Sequence, residues 1–266
     1  MDANLLRAGA GVPIVFLHGI GGAARLWTPQ IEHFSRRGYD AIAFDLPGYG
    51  GQPPLADGVA FDQLADVLEA LIAHLDIKRP VLVGHSLGGM VVQTFLRRHP
   101  DGARAAILSA TSPAFGNPQG KFQQQFLADR LRPLEEGKSM RELAPRMVAG
   151  MIGPEADPAG TALAESCMAA TPAETYRAMV NCLVTFDERA NLAHIPIPVL
   201  VLAGELDANA PAAMMRKMAG YIPGARYVEL PRTGHLANVE KPEVFNAAVK
   251  AFLDAALSEH EALTGT

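Results

Sequence analysis

The chain has 266 residues, 49% of them hydrophobic and 19% charged, and a formal net charge of −5. This apolar content excludes a disordered chain, which lacks the apolar surface that offsets the entropy lost on folding. The net negative charge argues against nucleic acid and anionic membrane lipids as partners. The longest apolar runs, such as residues 199–203, are far shorter than the ~20 residues that a membrane helix needs. We therefore expect a soluble globular protein.

The two cysteines, Cys167 and Cys182, favour a reducing compartment. A disulfide framework needs more cysteines, and the CxxC and HxxxH spacings typical of zinc sites do not occur in the sequence. The N-terminal residues contain no basic segment followed by an apolar run, as a secretory signal would. These features predict a cytoplasmic protein with two buried thiols and no metal site.

Short apolar runs alternate with helical patterns along the chain. Strands are predicted at residues 13–17, 41–44, 80–83, 105–108, 198–202 and 225–230. Most of these runs lack polar alternation, which is typical of strands buried on both faces of a parallel sheet. Apolar residues recur on one helix face at residues 61–75, 87–98 and 242–257. The alternation predicts an α/β fold with a doubly wound, mostly parallel sheet.

Residues 113–194 break the alternation, because this stretch contains helical patterns and no clear strand. The helices are predicted at residues 122–134, 140–151, 159–168 and 172–186. We therefore divide the chain into an α/β core, residues 1–112 and 195–266, and a helical cap, residues 113–194. The cap contains five of the ten methionines, namely Met140, Met147, Met151, Met168 and Met179. Methionine-rich helices suit an adaptable apolar pocket, which favours a lid over the strand ends rather than a flank helix.

Residues 84–89, Gly-His-Ser-Leu-Gly-Gly, follow a predicted strand and open a predicted helix. This is the G-x-S-x-G pattern in the strand–turn–helix context that it requires. So tight a turn needs neighbours without bulk, and Gly84 and Gly88 meet that need. The pattern predicts that Ser86 is a nucleophile at a helix N-terminus. His85 is interpreted as a packing residue, because its side chain should point away from the serine hydroxyl.

A serine hydroxyl needs a general base, and the base needs an acid that orients it. In sheets of this type the partners follow the serine in the order acid, then histidine, each after a strand. Asp207 follows the strand at 198–202, and His235 follows the strand at 225–230. We therefore predict a catalytic triad of Ser86, Asp207 and His235, with Glu205 as the rival acid.

A glycine-containing loop, residues 18–22, follows the first predicted strand. It matches neither the P-loop pattern nor the three-glycine dinucleotide pattern. We predict an oxyanion hole formed by the backbone N–H groups of Ile20 and Leu87. His18 is interpreted as a brace for this loop, and Asp45 as part of a turn that frames the site.

Together these motifs resemble the α/β-hydrolase fold superfamily, in its serine-nucleophile branch, from about residue 13 to residue 257. Locally, residues 235–242 (HLANVEKP) and 170–176 (ATPAETY) are similar to the 3-oxoadipate enol-lactonase group of small esterases. The loop that begins at His18 departs from that group and looks more like general esterases and carbon–carbon hydrolases. The resemblance also implies that the first hairpin of the family is shortened or missing here.

The resemblance implies a reaction. Family members that cleave haloalkanes or epoxides have aspartate at the nucleophile position, so Ser86 points instead to hydrolysis of small carboxylic esters or lactones without any cofactor. Carbon–carbon hydrolysis of a ring-cleavage product, cofactor-free oxygenation and a hydrolase-fold ligand receptor stay open as alternatives. If the substrate carries a carboxylate, Arg146 or Arg177 of the cap is a candidate to bind it. The expected partner is a small molecule, with a homo-oligomer left open.

Overall fold

The computed structural model describes residues 5–56 and 58–264, so the outermost residues of the predicted core lie outside the described residues. Its strands are β1 (Leu5–Gly9), β2 (Val12–Leu17), β3 (Tyr39–Phe44), β4 (Val81–His85), β5 (Ala105–Ser109), β6 (Val199–Gly204) and β7 (Arg226–Leu230). They form a sheet in the order β1-β3-β2-β4-β5-β6-β7. Strand β1 is antiparallel to β3, and the other neighbours pair in parallel.

The helices are α1 (Thr28–Ser35), α2 (Phe61–His74), α3 (Leu87–Arg98), α4 (Lys121–Glu135), α5 (Met140–Ala149), α6 (Pro158–Ala170), α7 (Ala173–Leu183), α8 (Ala212–Ala219), α9 (Ala237–Glu240) and α10 (Pro242–Thr264). Helices α2, α3 and α8 pack on one face of the sheet, and α1 and α10 pack on the other. This arrangement confirms the predicted doubly wound α/β fold. In residues 5–56 and 58–264, no helix combines the length and apolar character needed to cross a bilayer.

The central strands are buried on both faces, as their unbroken apolar runs predicted. All residues of β3, β4, β5 and β6 are buried. Successive side chains of a strand point to opposite faces, so Val15 and Leu17 join the core under α2 and α3. Ile14 and Phe16 join the core under α1 and α10. The sheet therefore has two separate apolar layers, one on each face.

Strand β1 was not among the strands predicted from the sequence, and the expectation that the first hairpin is shortened or missing stays a prediction. The structure contains β1, but it pairs with β3 and not with the next strand in the chain. An ion pair fixes this edge, since Arg7 donates from Nε and Nη2 to the two carboxylate oxygens of Asp40 at 2.9 and 2.6 Å. The strand escaped prediction because it is an edge strand whose residues are exposed or half-buried and carry no apolar run.

Helices α4 to α7 lie between β5 and β6 in the chain. The two ends of the insert meet, because Phe115 N donates to Phe186 O at 2.8 Å and Glu188 N donates to Pro113 O at 2.8 Å. These contacts form a short antiparallel bridge within the region that was predicted to contain no strand. A third apolar cluster packs the cap helices against residues of α9 and of the segment before α1. The boundaries at residues 112/113 and 194/195 stay a prediction.

Candidate active site

Ser86 lies between the end of β4 and the start of α3. Its backbone has φ 53° and ψ −118°, a strained conformation for a residue with a side chain. Contacts on both sides hold it there, since its N–H donates to Ser109 O at 2.9 Å and its carbonyl accepts from Thr111 Oγ1 at 2.7 Å. The turn therefore presents the Ser86 side chain at the carboxyl end of the sheet.

The glycines around Ser86 are required by close approach. A Cβ on Gly84 would lie 2.5 Å from Gly88 O, and one on Gly88 would lie 2.4 Å from Leu17 O. A Cβ on Gly89 would lie 2.8 Å from Cβ of Thr111. The first two clashes are with backbone, which cannot move aside as a flexible side chain can. Helix α3 can pack this closely against β2 and β4 only because these positions lack side chains.

His235 and Asp207 form a buried pair after β7 and β6. His235 Nδ1 lies 2.7 Å from Asp207 Oδ2, and the other carboxylate oxygen accepts the N–H groups of Asn209 at 2.7 Å and Ala210 at 3.0 Å. Burial opposes ionisation, but the His235 ring and these N–H groups hold the pKa of Asp207 below its usual value. The rival acid, Glu205, is exposed and accepts the N–H of Arg232 instead.

His85 supports His235. Its Nε2–H donates to the backbone carbonyl of His235 at 2.9 Å, and the centres of the two rings are 4.9 Å apart. Burial, together with the nearby His235 ring, lowers the pKa of His85 to about 3. His85 is therefore neutral in the folded protein. Sequence reasoning missed this support, because the two residues are 150 positions apart in the chain.

The loop after β2 lies against the serine turn. His18 Nδ1–H donates to Gly19 O at 2.8 Å, and its Nε2 accepts from Leu46 N at 3.1 Å. Ile20 of this loop lines the same cavity as Ser86. Leu87 is the first residue of α3, where helix geometry provides no intrahelical acceptor for the backbone N–H. Asp45 braces the site from outside, as its carboxylate accepts the N–H of Ala24 at 2.7 Å.

A cavity of about 430 Å³ opens beside Ser86 and His235, a size within the range of small-molecule sites. Its walls combine strand-end residues with cap residues, so the cap covers the carboxyl ends of the strands. Of the five cap methionines, Met147, Met151 and Met168 line the cavity. Met140 and Met179 are instead buried in the apolar clusters.

The structure does not bring the two arginine candidates of the cap into the cavity. Arg146 is exposed on α5, and Arg177 lies 3.7 Å from Glu174 on α7. Both point elsewhere because the apolar residues of their helices occupy the inner faces. A different arginine of the cap, Arg130 on α4, lines the cavity. The sequence signal for it is the spacing of Phe122, Phe126 and Arg130 at intervals of four residues, which places all three on one helix face.

Within the described ranges, no three His, Cys, Asp or Glu side chains converge in a way that could hold a metal ion. The two cysteines are free and buried. Burial raises the pKa of Cys167 to about 11 and that of Cys182 to about 12, so both are protonated thiols at neutral pH.

Comparison with known proteins identifies the class to which this fold and site belong. The sequence profile of the family described as alpha/beta hydrolase fold matches residues 12–242. A non-heme chloroperoxidase from Kitasatospora aureofaciens is 32% identical, over 92% of this chain and 94% of that protein. A 3-oxoadipate enol-lactonase from Acinetobacter baylyi is 27% identical, over 90% of this chain and 88% of that protein. The structure of a thermophilic esterase from Thermogutta terrifontis matches with TM-score 0.83 and 27% identity, covering 95% of this chain and 93% of that one.

The chain belongs to the α/β-hydrolase family. This confirms the superfamily predicted from the sequence motifs, together with the likeness to enol-lactonases and small esterases. The family is one of hydrolase enzymes, and the chloroperoxidase among the relatives shows that its members differ in reaction.

Proposed function

We propose that the protein is a serine hydrolase that cleaves small carboxylic esters or lactones through an acyl-enzyme on Ser86. One observation carries the proposal. The buried hydrogen bond between Asp207 and His235 lies beside the cavity, and Ser86, on its strained turn, lines the same cavity. A carboxylate, an imidazole and a serine in this order are the parts that activate a hydroxyl for attack on a carbonyl.

The direction of proton transfer follows from the His235 contacts. Its Nδ1–H is committed to Asp207, so Nε2 carries the free lone pair and accepts the proton of the Ser86 hydroxyl. The serine oxygen then bonds to the carbonyl carbon, and the electron pair of the C=O bond moves to the carbonyl oxygen. The N–H groups of Ile20 and Leu87 are assigned to stabilise this oxyanion, a contribution typically worth roughly 10²–10³ in rate for each donor.

Collapse of the intermediate re-forms the carbonyl and breaks the bond to the alcohol oxygen. His235 returns its proton to that oxygen, which leaves as the alcohol or, for a lactone, as the hydroxyl end of the opened ring. A water molecule then gives a proton to His235 and its oxygen to the acyl carbon. The bond between the acyl carbon and Ser86 Oγ then breaks, the acid is released, and His235 returns its proton to Ser86.

A fluorophosphonate probe followed by mass mapping of the modified serine tests the proposal directly. We expect one modified residue, Ser86, and loss of both labelling and esterase activity in Ser86→Ala. The matched control is Ser112→Ala, which removes the other serine hydroxyl of the cavity wall and should remain labelled. A Ser86→Ala protein that keeps full esterase activity would disprove the proposal.

The bond that is cleaved is tested with purified protein and three substrate classes: p-nitrophenyl esters, enol-lactones and vinylogous diketones. Hydrolysis of the first two classes with release of an acid supports the proposal. Activity on diketones alone would show carbon–carbon hydrolysis instead, and a stable adduct after a single slow turnover would indicate a ligand receptor.

A further inference from the structure

One cation lies in the wall of the cavity that contains Ser86. Most of the wall is apolar, and among the wall residues that the structure describes, Arg130 is the only Lys, Arg, Asp or Glu. Phe122 and Phe126 stand beside it on the same face of α4. The guanidinium of Arg130 thus borders a mostly apolar space next to the proposed nucleophile.

Neutral groups hold Arg130 in position. Its Nη2 donates to Asn209 Oδ1 at 2.9 Å, and its guanidinium carbon lies 5.1 Å from the centre of the Phe126 ring, within cation–π range. Burial raises the pKa of the Tyr176 hydroxyl, and the positive charge of Arg130 and its hydrogen bond to this hydroxyl oppose that rise. None of these contacts neutralises the charge.

In the described parts of the chain, no carboxylate lies within ion-pair distance of Arg130. Other cap arginines do have such partners, since Arg132 lies 4.0 Å from Asp129 and Arg177 lies 3.7 Å from Glu174. A guanidinium has five N–H donors, and its partners here are Asn209 and the Tyr176 hydroxyl, which leaves donors for an anion. A carboxylate bound in the cavity would pair with this charge.

We propose that Arg130 binds a carboxylate of the substrate, so that the preferred substrates are small esters or lactones that also carry a free carboxylate. This inference rests on the hydrolase function proposed above. A carboxylate fits because it accepts two parallel N–H bonds from the planar guanidinium. A purely structural tether between α4 and the loop after β6 would use the bond to Asn209 and would not need the positive charge.

Binding without turnover tests the site first. Calorimetry compares glutarate with glutaramide, which has the same length and no charge. We expect glutarate to bind more tightly by roughly 10- to 100-fold, the range expected for hydrogen bonds to a charged group. Arg130→Gln should abolish the difference, and Arg130→Lys should retain part of it. The matched control, Arg177→Gln, removes a cap arginine outside the cavity wall and should bind glutarate as the wild type does.

Kinetics then test the effect on substrates. For p-nitrophenyl hydrogen glutarate, we expect Arg130→Gln to raise KM by roughly 10- to 100-fold with little change in kcat, because the contact is remote from the reacting carbonyl. For neutral p-nitrophenyl hexanoate, KM should be the same in both proteins. A merely structural role would change both substrates alike, and thermal midpoints of all variants show whether they fold.

The outcomes separate the two proposals. Equal KM ratios for the anionic and the neutral ester, or equal binding of glutarate and glutaramide by the wild type, would overturn the role of Arg130 while leaving the hydrolase function in place. Glutarate binding that depends on Arg130 in a protein that hydrolyses neither ester would overturn the hydrolase function and keep the carboxylate site.

Discussion

Replacing Asp207 by Asn tests the proposed role of the acid through the hydrogen bonds that surround it. In the wild type, Oδ1 accepts the N–H groups of Asn209 and Ala210 and Oδ2 accepts Nδ1–H of His235. In the variant, the amide oxygen is expected to stay with the two backbone donors. The NH2 group then faces His235 Nδ1, which must give up its proton. The proton moves to Nε2, where it blocks acceptance of the Ser86 proton.

The size of the effect follows from the cost of the opposite amide orientation. Turning the amide over would place its NH2 group against the two backbone N–H donors, which are buried or half-buried and would lose their acceptor. Each unsatisfied buried donor costs about 1–3 kcal/mol, so the productive tautomer lies about 2–6 kcal/mol above the unproductive one. This corresponds to a loss in kcat of roughly 30-fold to 10⁴-fold, and the upper end agrees with the loss typical of this substitution in a serine triad.

The assay is kcat on a p-nitrophenyl ester, measured beside the thermal midpoint. We expect Asp207→Asn to remain folded, because the amide keeps the size of the carboxylate and the two backbone contacts. Glu205→Gln is the matched control, since it neutralises an exposed acid two residues away and should retain wild-type kcat. A folded Asp207→Asn protein that loses less than tenfold in kcat would refute the tautomer reasoning.

Two further predictions concern stability. Gly88→Ala should lower the free energy of unfolding by about 2–3 kcal/mol, because the new Cβ would lie 2.4 Å from Leu17 O. Gly150→Ala is the control, since the nearest atom to its Cβ is 3.6 Å away, and it should change the free energy of unfolding by less than about 1 kcal/mol. Equal thermal midpoints for these two variants would contradict the packing analysis. His85, whose pKa is lowered to about 3, stays unprotonated in the folded protein while the unfolded chain titrates near its ordinary value of about 6.5. The unfolded state therefore binds more protons than the folded state, so the free energy of unfolding falls as pH drops from about 6 towards 3, by up to about 1.4 kcal/mol per pH unit. In urea titrations at about pH 4–7, the variant His85→Gln should show a flatter slope.

The serine turn could be predicted from the sequence because its geometry is local. The glycines at positions 84, 88 and 89 are required by atoms within the turn, in β2 and just after β5, and a buried apolar run precedes them. Asp207 and His235 could be predicted for a related reason. Parallel strands end at the same edge of a sheet, so residues that follow such strands gather there even when they are far apart in the chain.

Arg130 and His85 could not be assigned roles in this way. Whether the Arg130 side chain points into the cavity or into solvent depends on how α4 packs over the cavity. The spacing of apolar residues along α4 alone does not predict that packing. Arg146 and Arg177 had equally plausible positions in the sequence, but their helices turn other faces inward. His85, at the end of β4, supports His235 in the loop after β7, a contact which no local sequence pattern records. Sequence patterns therefore predict which residues gather at the strand ends better than they predict the walls of the cavity.

The cap is joined by hydrogen bonds to His235, the proposed general base. The N–H of His235 donates to the carbonyl of Met151 at 2.6 Å. The side chain of Glu240 accepts the N–H of Gly153 at 2.6 Å, and its backbone carbonyl accepts the N–H of Asp157 at 2.8 Å. A Cβ on Gly234 would lie 2.4 Å from Met151 O, so the two segments touch through their backbones. The segment that follows α5 therefore contacts His235 directly through its backbone and also lies over the cavity. Because one stretch of chain both shapes the cavity and positions the proposed base, substitutions there should change kcat together with KM rather than specificity alone.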